Sequence, residues 1–600
     1  INFSKNMCGI LVIINKDLQP LNLQKCKKSL DYMYRRGPDW SIYKMVLPNV
    51  FMGQVVLSMT GKLKKDINLH YSESKNKFIL FNGEIYNYKE LANLFLKNYN
   101  YKKTSDTSIL VNLFEKLDYN DANKKLDGMY AFVIYDQIKK SLLINRDIQG
   151  EKSLYIFEDN KKIIISSEIN TIIHYNKSAE LNINELKNYF YTRHLTQFDT
   201  TIFKNIRILL PGQMSDISLQ NFKFKNISQC HLSDLISEKT YFKNIKKREE
   251  ELVDELDSLL KKNIQQMIPI DRKFASVVSG GIDSSLVSAL VCKYSKPNEL
   301  ISLNHVHKDE IAPLIPIFQQ QLGNKINQYK IYLKDYYRNL VDAVKICNSP
   351  VHSHSFVGQL IMSQKISKNK CKAIFGGEGA DELFGGYDTY RQIIKNPKKN
   401  YSNYTKLLNT NLFKKSNKEY RYFKKQIDIN WKQSLDAYKF EKNLDHRNRL
   451  AMMLSDTAIQ LNSNGLRGCD LMSMYYSIES RSIFLRKDII RFALNLPLKF
   501  KINIKEENLM NTKILLKKVF LKYYNKDLIV KKQGFAGFPN EAERFLGKKN
   551  SYSFKKFFKI NNLSNKMKKL DRATNWKIIN TEMYLNKVIK KNKKIKVLGP

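Results

Sequence analysis

Two glycine-rich turns, each following a short apolar run and each opening a helix-like segment, constrain this chain more than any other feature. The first is Val277-Val278-Ser279-Gly280-Gly281-Ile282-Asp283-Ser284-Ser285. An apolar run at 274–278 precedes it, and a helical pattern over 283–294 follows. The second is Phe375-Gly376-Gly377-Glu378-Gly379-Ala380-Asp381-Glu382, after a strand-like run at 372–375. A strand at 300–305 and a helix near 312–322 lie between them. Strands alternating with helices predict a parallel, doubly wound α/β sheet, and such sheets bind ligands at the carboxyl ends of their strands.

Each turn carries its own chemistry. Glycines let a backbone bend and approach an anion, and a helix N-terminus presents free N–H groups to phosphate. Ser279, Ser284 and Ser285 add hydroxyl donors to the first turn. It is not the GxxxxGK[ST] loop, which needs a Lys. In the second turn Glu378, Asp381 and Glu382 crowd together. Carboxylates so close repel unless a cation or a polar substrate sits among them. One turn therefore suits phosphates and the other Mg²⁺ or a base. The plain alternatives are a tight turn and an acidic helix cap.

The region before these turns has a different rhythm. Short strands are predicted at 10–14, 50–59, 77–82, 131–135, 141–145 and 162–166, with helices at 88–96 and 107–117, the latter capped by Ser105 or Asp106. Pro211-Gly212 punctuates its end. The expected organisation is a β-rich α+β domain over 8–215, a linker over 216–245 and an α/β domain over 246–600 that turns mostly helical after about 390. The Lys-rich stretch 587–596 reads as a solvated, frayed tail.

Two further motifs lie in the first region. In Met7-Cys8-Gly9-Ile10, removal of everything through Met7 would leave Cys8 N-terminal, with an α-amine able to act as base for its own thiol. With residues 1–7 in place that chemistry is closed, and a Cys before an apolar strand reads as core. In Phe81-Asn82-Gly83-Glu84, an Asn amide and a Gly N–H can hold an oxyanion, although Asn-Gly alone is a hairpin turn.

Composition narrows the rest. Among 600 residues the formal net charge is +45, but Lys and Asn are scattered with Ile and Tyr, a pattern that codon bias explains without a nucleic-acid partner. Seven Cys form no CxxC, which argues against a disulfide framework or zinc site and fits a reducing cytoplasm. No apolar run approaches the roughly 20 residues of a membrane span, and no signal peptide is read at the start.

Taken together, the motifs resemble the glutamine-hydrolysing asparagine synthetases, which join an N-terminal-nucleophile glutaminase of sandwiched β-sheets and flanking helices to an ATP-pyrophosphatase-type synthetase. The matches include Cys8-Gly9-Ile10, Arg36-Gly37-Pro38-Asp39, Asn82 to Asn87, Ser105-Asp106-Thr107, Asp127 to Phe132, Arg146-Asp147 and Lys152. They continue with both glycine-rich turns, Asp470, Ser473-Met474, Glu479, Arg481 and Lys513. By this resemblance Cys8 attacks the glutamine amide, Asn82 and Gly83 hold the oxyanion, and Glu84 and Asp106 bind the glutamine amino group and backbone. Ammonia then travels through an internal tunnel. Val278, Ser279, Gly280, Gly281, Asp283, Ser284, His305, Gly376 and Gly377 contact ATP, Asp283 and Asp381 hold Mg²⁺, Glu378 accepts a proton from ammonia, and Lys513 neutralises the leaving pyrophosphate.

The resemblance implies aspartate as acceptor, AMP and pyrophosphate as products, and a homodimer. Another carboxylate, such as a sugar uronic acid, is the alternative acceptor. The departures from the family pattern matter here. Val56 stands where an Arg clamps the glutamine carboxylate, Arg35 where His is usual, and Gly376 where Ser is usual. Leu471, Ile483, Arg486 and the stretch 351–354 also depart, and they are expected to reshape the acceptor pocket.

Overall fold

The computed structural model describes residues 6–59, 70–96, 105–191, 198–270, 272–305, 312–351, 353–391, 412, 418–505, 508–530, 552–560, 563–567, 570–590, 592 and 595–596. The described part of the chain up to residue 229 forms β1 (Asn6–Asn15), β2 (Trp40–Leu47), β3 (Val50–Ser58), β4 (Lys77–Ile85), β5 (Gly128–Asp136), β6 (Ser141–Arg146), β7 (Tyr155–Glu158), β8 (Lys162–Ser166), β9 (Ala179–Glu180), β10 (Ile206–Ile208), β11 (Gln213–Ser218) and β12 (Phe224–Gln229).

Two antiparallel sheets result, ordered β10-β7-β8-β1-β3-β2 and β12-β11-β6-β5-β4. Alternation along each strand sends side chains to two faces. Ile10, Val12 and Ile14 of β1 meet Phe78 and Leu80 of β4 in a core between the sheets. On the far side of the first sheet, Leu11, Ile13 and Val55 pack with residues of helices Leu23–Asp31 and Ile169–Asn176. On the far side of the second, Ile79, Phe81 and Phe132 pack with helices Tyr88–Phe95 and Asp106–Lys116. The unit is thus a helix–sheet–sheet–helix sandwich, as the α+β expectation requires. Ser105 caps the helix Asp106–Lys116 by accepting from the Ser108 N–H.

The second unit is built on five parallel strands: β13 (Phe274–Val277), β14 (Glu299–His305), β15 (Ile326–Ile331), β16 (Ala373–Gly376) and β17 (Glu479–Ser482). Their order is β15-β14-β13-β16-β17. The chain steps outward from β13 to β15, then returns to place β16 against the other side of β13. The order reverses between β13 and β16, which makes the crevice at their carboxyl ends the expected ligand site. Both glycine-rich turns leave these two strands.

Several expectations are corrected. The segment 216–245, read as a linker, contains the second half of β11 and all of β12, which extend the second sheet, and most of a helix at Glu238–Lys246. Its apolar residues explain this: Ile217 enters the core between the sheets and Ile227 packs against the outer one. The Lys-rich end is not wholly frayed, because β18 (Ile595–Lys596) pairs with β9 of the first unit. The sequence does not announce β17. Its residues, Glu-Ser-Arg-Ser, lack an apolar face, and it is nonetheless buried, with Glu479 and Arg481 fully enclosed.

The two units share cores. Leu57, Met59, Tyr86 and Met129 from the first join Leu260, Phe274 and others from the second in one apolar cluster. All seven Cys are free. Among the described residues, no helix is long and apolar enough to cross a membrane.

Candidate functional site

The first site lies at one end of the sandwich. Cys8 and Val56 are cross-strand partners in β1 and β3, so their side chains share the face that looks toward the second sheet. Asn82 and Glu84 follow Leu80 on the facing side of β4, so the alternation that buries Leu80 also brings them to this end. The Asn82 carboxamide oxygen accepts from the Cys8 N–H at 3.4 Å. Gly83 has φ 145°, and a Cβ there would stand 2.0 Å from the Met129 carbonyl oxygen, so only glycine fits. Asp106 accepts from the N–H groups of Ile85 and Thr107, at 3.1 and 2.9 Å.

Cys8 is fully buried in mid-strand, with Met7 paired to Leu57. Burial pushes its thiol well above the ordinary value. Its nearest polar partner is one that sequence reasoning misses. Gln54 donates from Nε2 to Cys8 Sγ at 2.7 Å, and its Oε1 accepts from the Phe81 N–H at 2.8 Å. The available signal is a lone Gln inside the apolar strand Val50–Ser58. Glu84 is engaged by Arg481, which reaches across from β17 and also bonds Glu479 of its own strand. All three of these side chains are fully buried.

The second site lies in the crevice between β13 and β16. Ser279 Oγ and Ser284 Oγ are 2.7 Å apart, the Ser279 N–H donates to Ser284 Oγ at 3.1 Å, and the Gly281 N–H donates to Ser279 Oγ at 3.2 Å. The loop therefore curls over the start of the helix Ile282–Tyr294. The turn after β16 presses against it: a Cβ on Gly377 would stand 2.7 Å from Asp283 Cβ and 2.9 Å from the Ser284 nitrogen. Lys513 joins the two turns, its Nζ 2.5 Å from both Asp283 Oδ2 and Asp381 Oδ1. Burial opposes the Lys513 charge, but the two carboxylates outweigh it and hold the ammonium above its ordinary pKa. Val278 is buried and donates its N–H to Ile301 O at 2.9 Å. Gly376 ends β16 and His305 ends β14, while 306–311 lie outside the described residues.

Burial, with Asp283 nearby, pushes the Glu378 carboxyl up from its ordinary value. Two of its neighbours have no signature in the sequence. Cys469 hydrogen-bonds the Glu378 carboxylate and in turn receives Gln359 Nε2 at 2.7 Å. Ser482 Oγ donates to the Glu378 carbonyl at 2.5 Å. No local pattern marks these residues, because they meet only when distant segments, β17 among them, close around β16.

A buried chain of charges connects the two sites. Arg36 Nε approaches the Cys8 carbonyl at 3.4 Å, and Arg36 Nη2 sits 2.9 Å from Asp470 Oδ2. Lys152 Nζ is 3.2 Å from Asp470 Oδ1. Burial pushes the Asp470 carboxyl up, but Arg36 and Lys152 outweigh it and hold it below its ordinary value. Lys152 and Asp470 line a small cavity with Glu378, Cys469, Glu151 and Ser482.

The other departures from the family pattern have these surroundings, and Leu471 and Ile483 directly follow Asp470 and Ser482, which line the cavity with Glu378. Val351 and Leu471 pack in one apolar core and Ile483 in another. Arg486 bonds Asp127 of the first unit through Nε and Nη2, at 3.2 and 2.8 Å. Arg35 lies over the Tyr475 ring at 4.2 Å.

Comparison with known proteins agrees with this architecture. A glutamine amidotransferase domain model matches residues 7–227, and an asparagine synthase model matches 255–552. A putative glutamine-hydrolysing asparagine synthetase 2 from Methanocaldococcus jannaschii is 26% identical over 409 residues, covering 64% of this chain and 76% of that protein. Glutamine-hydrolysing asparagine synthetase 3 from Bacillus subtilis is 23% identical over 532 residues, covering 84% and 83%. A Gibberella zeae protein named amidase chry2 is 24% identical over 417 residues, covering 64% and 60%. With both domain models in order along one chain, and both sites built as described, the chain belongs to the glutamine-hydrolysing asparagine synthetase family.

Proposed function

We propose that this protein uses ATP to activate a carboxylate and amidates it with nitrogen from glutamine, and that aspartate is the acceptor, giving asparagine, AMP and pyrophosphate. The observation that carries the reading is the crevice at the β13/β16 switch point, where Lys513 ties the serine-rich turn to the acidic one. Two units divide the work, 8–215 for glutamine hydrolysis and 246–600 for amide synthesis.

In the first, Cys8 is the nucleophile. Its buried thiol needs a base, and an α-amine on Cys8, once the preceding residues are removed, supplies one. Asn82 and the Gly83 N–H receive the oxyanion, and Glu84 and Asp106 bind the glutamine amino group and backbone. For Glu84 to do so, glutamine must share it with Arg481. The cavity lined by Lys152, Asp470 and Glu378 supports passage of ammonia toward the second site.

There the 279–284 loop receives the ATP phosphates, with Val278, His305, Gly376 and Gly377 around the nucleotide. Asp283 and Asp381 suit Mg²⁺, since both already converge on one cation. Mg²⁺ bound there would spread the phosphate charge. Lys513 neutralises the departing pyrophosphate, and Glu378, its pKa raised by burial, accepts a proton from the attacking ammonia. The family resemblance also brings a cytoplasmic homodimer, which light scattering and fractionation test.

The first experiment uses protein whose chain begins at Cys8, with ATP, Mg²⁺, ammonium and aspartate. Pyrophosphate and asparagine are expected in equal amounts. Absence of both with aspartate, but pyrophosphate with another carboxylate, transfers the reading to that acceptor. Absence with every carboxylate overturns it.

A further inference from the structure

A recess of about 430 Å³ opens at the amino ends of β13 and β16, the edge of the parallel sheet opposite the ATP crevice. Arg272, Lys273, Lys370 and Lys372 line it, with Ser367 and Tyr476. These cations converge because the two strands begin side by side: the Lys372 N–H donates to the Lys273 carbonyl at 2.7 Å. Among the described residues, the carboxylate paired with them is Asp39, which already accepts from the Ser58 N–H at 2.8 Å and lies 3.4 Å from Arg272 Nη2. Arg272 Nε also donates to the Ser58 carbonyl at 2.8 Å, so the recess sits on the seam between the units. A second carboxylate, Glu299, acts on Cys371 of the lining and already accepts from Asn369 Nδ2 at 2.8 Å, so four cations face two carboxylates, each engaged by other partners. Burial, with Arg272 close by, pulls the Lys372 ammonium below its ordinary pKa despite Asp39.

Cations held this close repel, and a bound anion would relieve the repulsion. The recess is also the size of a small-molecule pocket, which typically measures about 300–1,000 Å³. We propose that this recess binds a small, multiply charged phosphate compound, with Arg272, Lys273, Lys370 and Lys372 as its cations. The Lys-rich composition explains scattered surface charge but not four cations gathered around one recess with a hydroxyl and a phenol. Because Arg272 touches Ser58, at the end of the strand that pairs Val56 with Cys8, an occupant would sit within reach of both units.

The probe is inorganic triphosphate, titrated calorimetrically into the full chain. Saturating Mg²⁺ and a non-hydrolysable ATP analogue keep the 279–284 loop occupied. The wild-type protein is expected to bind one equivalent. Lys273→Glu with Lys370→Glu, both at exposed positions, should weaken binding at least tenfold. Lys424→Glu with Lys425→Glu, at exposed positions of a distant helix, should leave it unchanged. No binding by the wild type, or equal weakening in both double variants, overturns the proposal. So does a clear preference for single-stranded RNA over triphosphate. A second measurement needs no variant: triphosphate should slow acetylation of Lys372 several-fold, read by mass spectrometry, without protecting Lys424. Equal protection of both would also overturn it.

Discussion

The two sites solve opposite electrostatic problems. At the Cys8 thiol the neighbours are neutral, with Gln54 donating to it and Val56 standing across the strand pair, while Asn82 and the cationic Arg36 contact the Cys8 backbone. Across the second site the charged groups are paired with one another, Lys513 holding Asp283 and Asp381 in place beside the buried Glu378. A neutral amide needs a thiol and oriented dipoles, whereas a nucleotide needs cations and anions in fixed positions. The buried ions Arg36, Asp470 and Lys152 lie between these regimes, and they belong to both units.

The sharpest way to break this contrast is to remove one reactive group at a time. Cys8→Ala should abolish glutamine-dependent synthesis and spare ammonium-dependent synthesis, while Glu378→Ala should cut both by about 100-fold or more. Equal loss of the two activities in Cys8→Ala would contradict the division of labour. Next comes the bridge. Asp470→Ala removes the ion-pair partner of Lys152 and leaves Arg36 only the carboxylate of Glu168, 3.6 Å away, and should cost about 3 kcal/mol of stability, seen as a lowered denaturant midpoint.

A smaller effect tests the neutral site. Val56→Arg places a cation across from Cys8 and should lower the KM for glutamine about tenfold, since a charged hydrogen bond is worth roughly 1.5–3 kcal/mol. The ammonium reaction should not change. An unaltered KM would mean that another group already holds the carboxylate.

The smallest effect concerns the charge-rich unit. Burial pushes Lys501 down from 10.5 to about 7. Its folded-state pKa lies below the unfolded one, so its contribution is most favourable above pH 10.5 and declines as pH falls toward 7. Lys501→Met should flatten that slope and raise stability at neutral pH by about 1–2 kcal/mol, measured by urea titration across pH.

Local chemistry is legible in the sequence. The serine-rich turn, the acidic turn and the Ser105 cap each follow from a few adjacent residues, and all three stand where the pattern puts them. What escapes depends on distant segments meeting. β17 has no apolar alternation to announce it, because Arg481 neutralises Glu479 and Glu84 in the interior. Gln54 looks like an interruption of an apolar strand until β1 and β4 are set around it. The linker expectation fails for a related reason: β12 is polar on much of its length and gains its order from pairing with β11.

The apolar cluster that runs from Leu57 and Tyr86 into Leu260 and Phe274 has a consequence for how the molecule melts. Cutting the chain between the units would expose greasy surface on both fragments, so neither half should survive well when expressed alone. Heated intact, the protein should show one calorimetric peak instead of two, and damage to either catalyst would propagate to the other through a common loss of order.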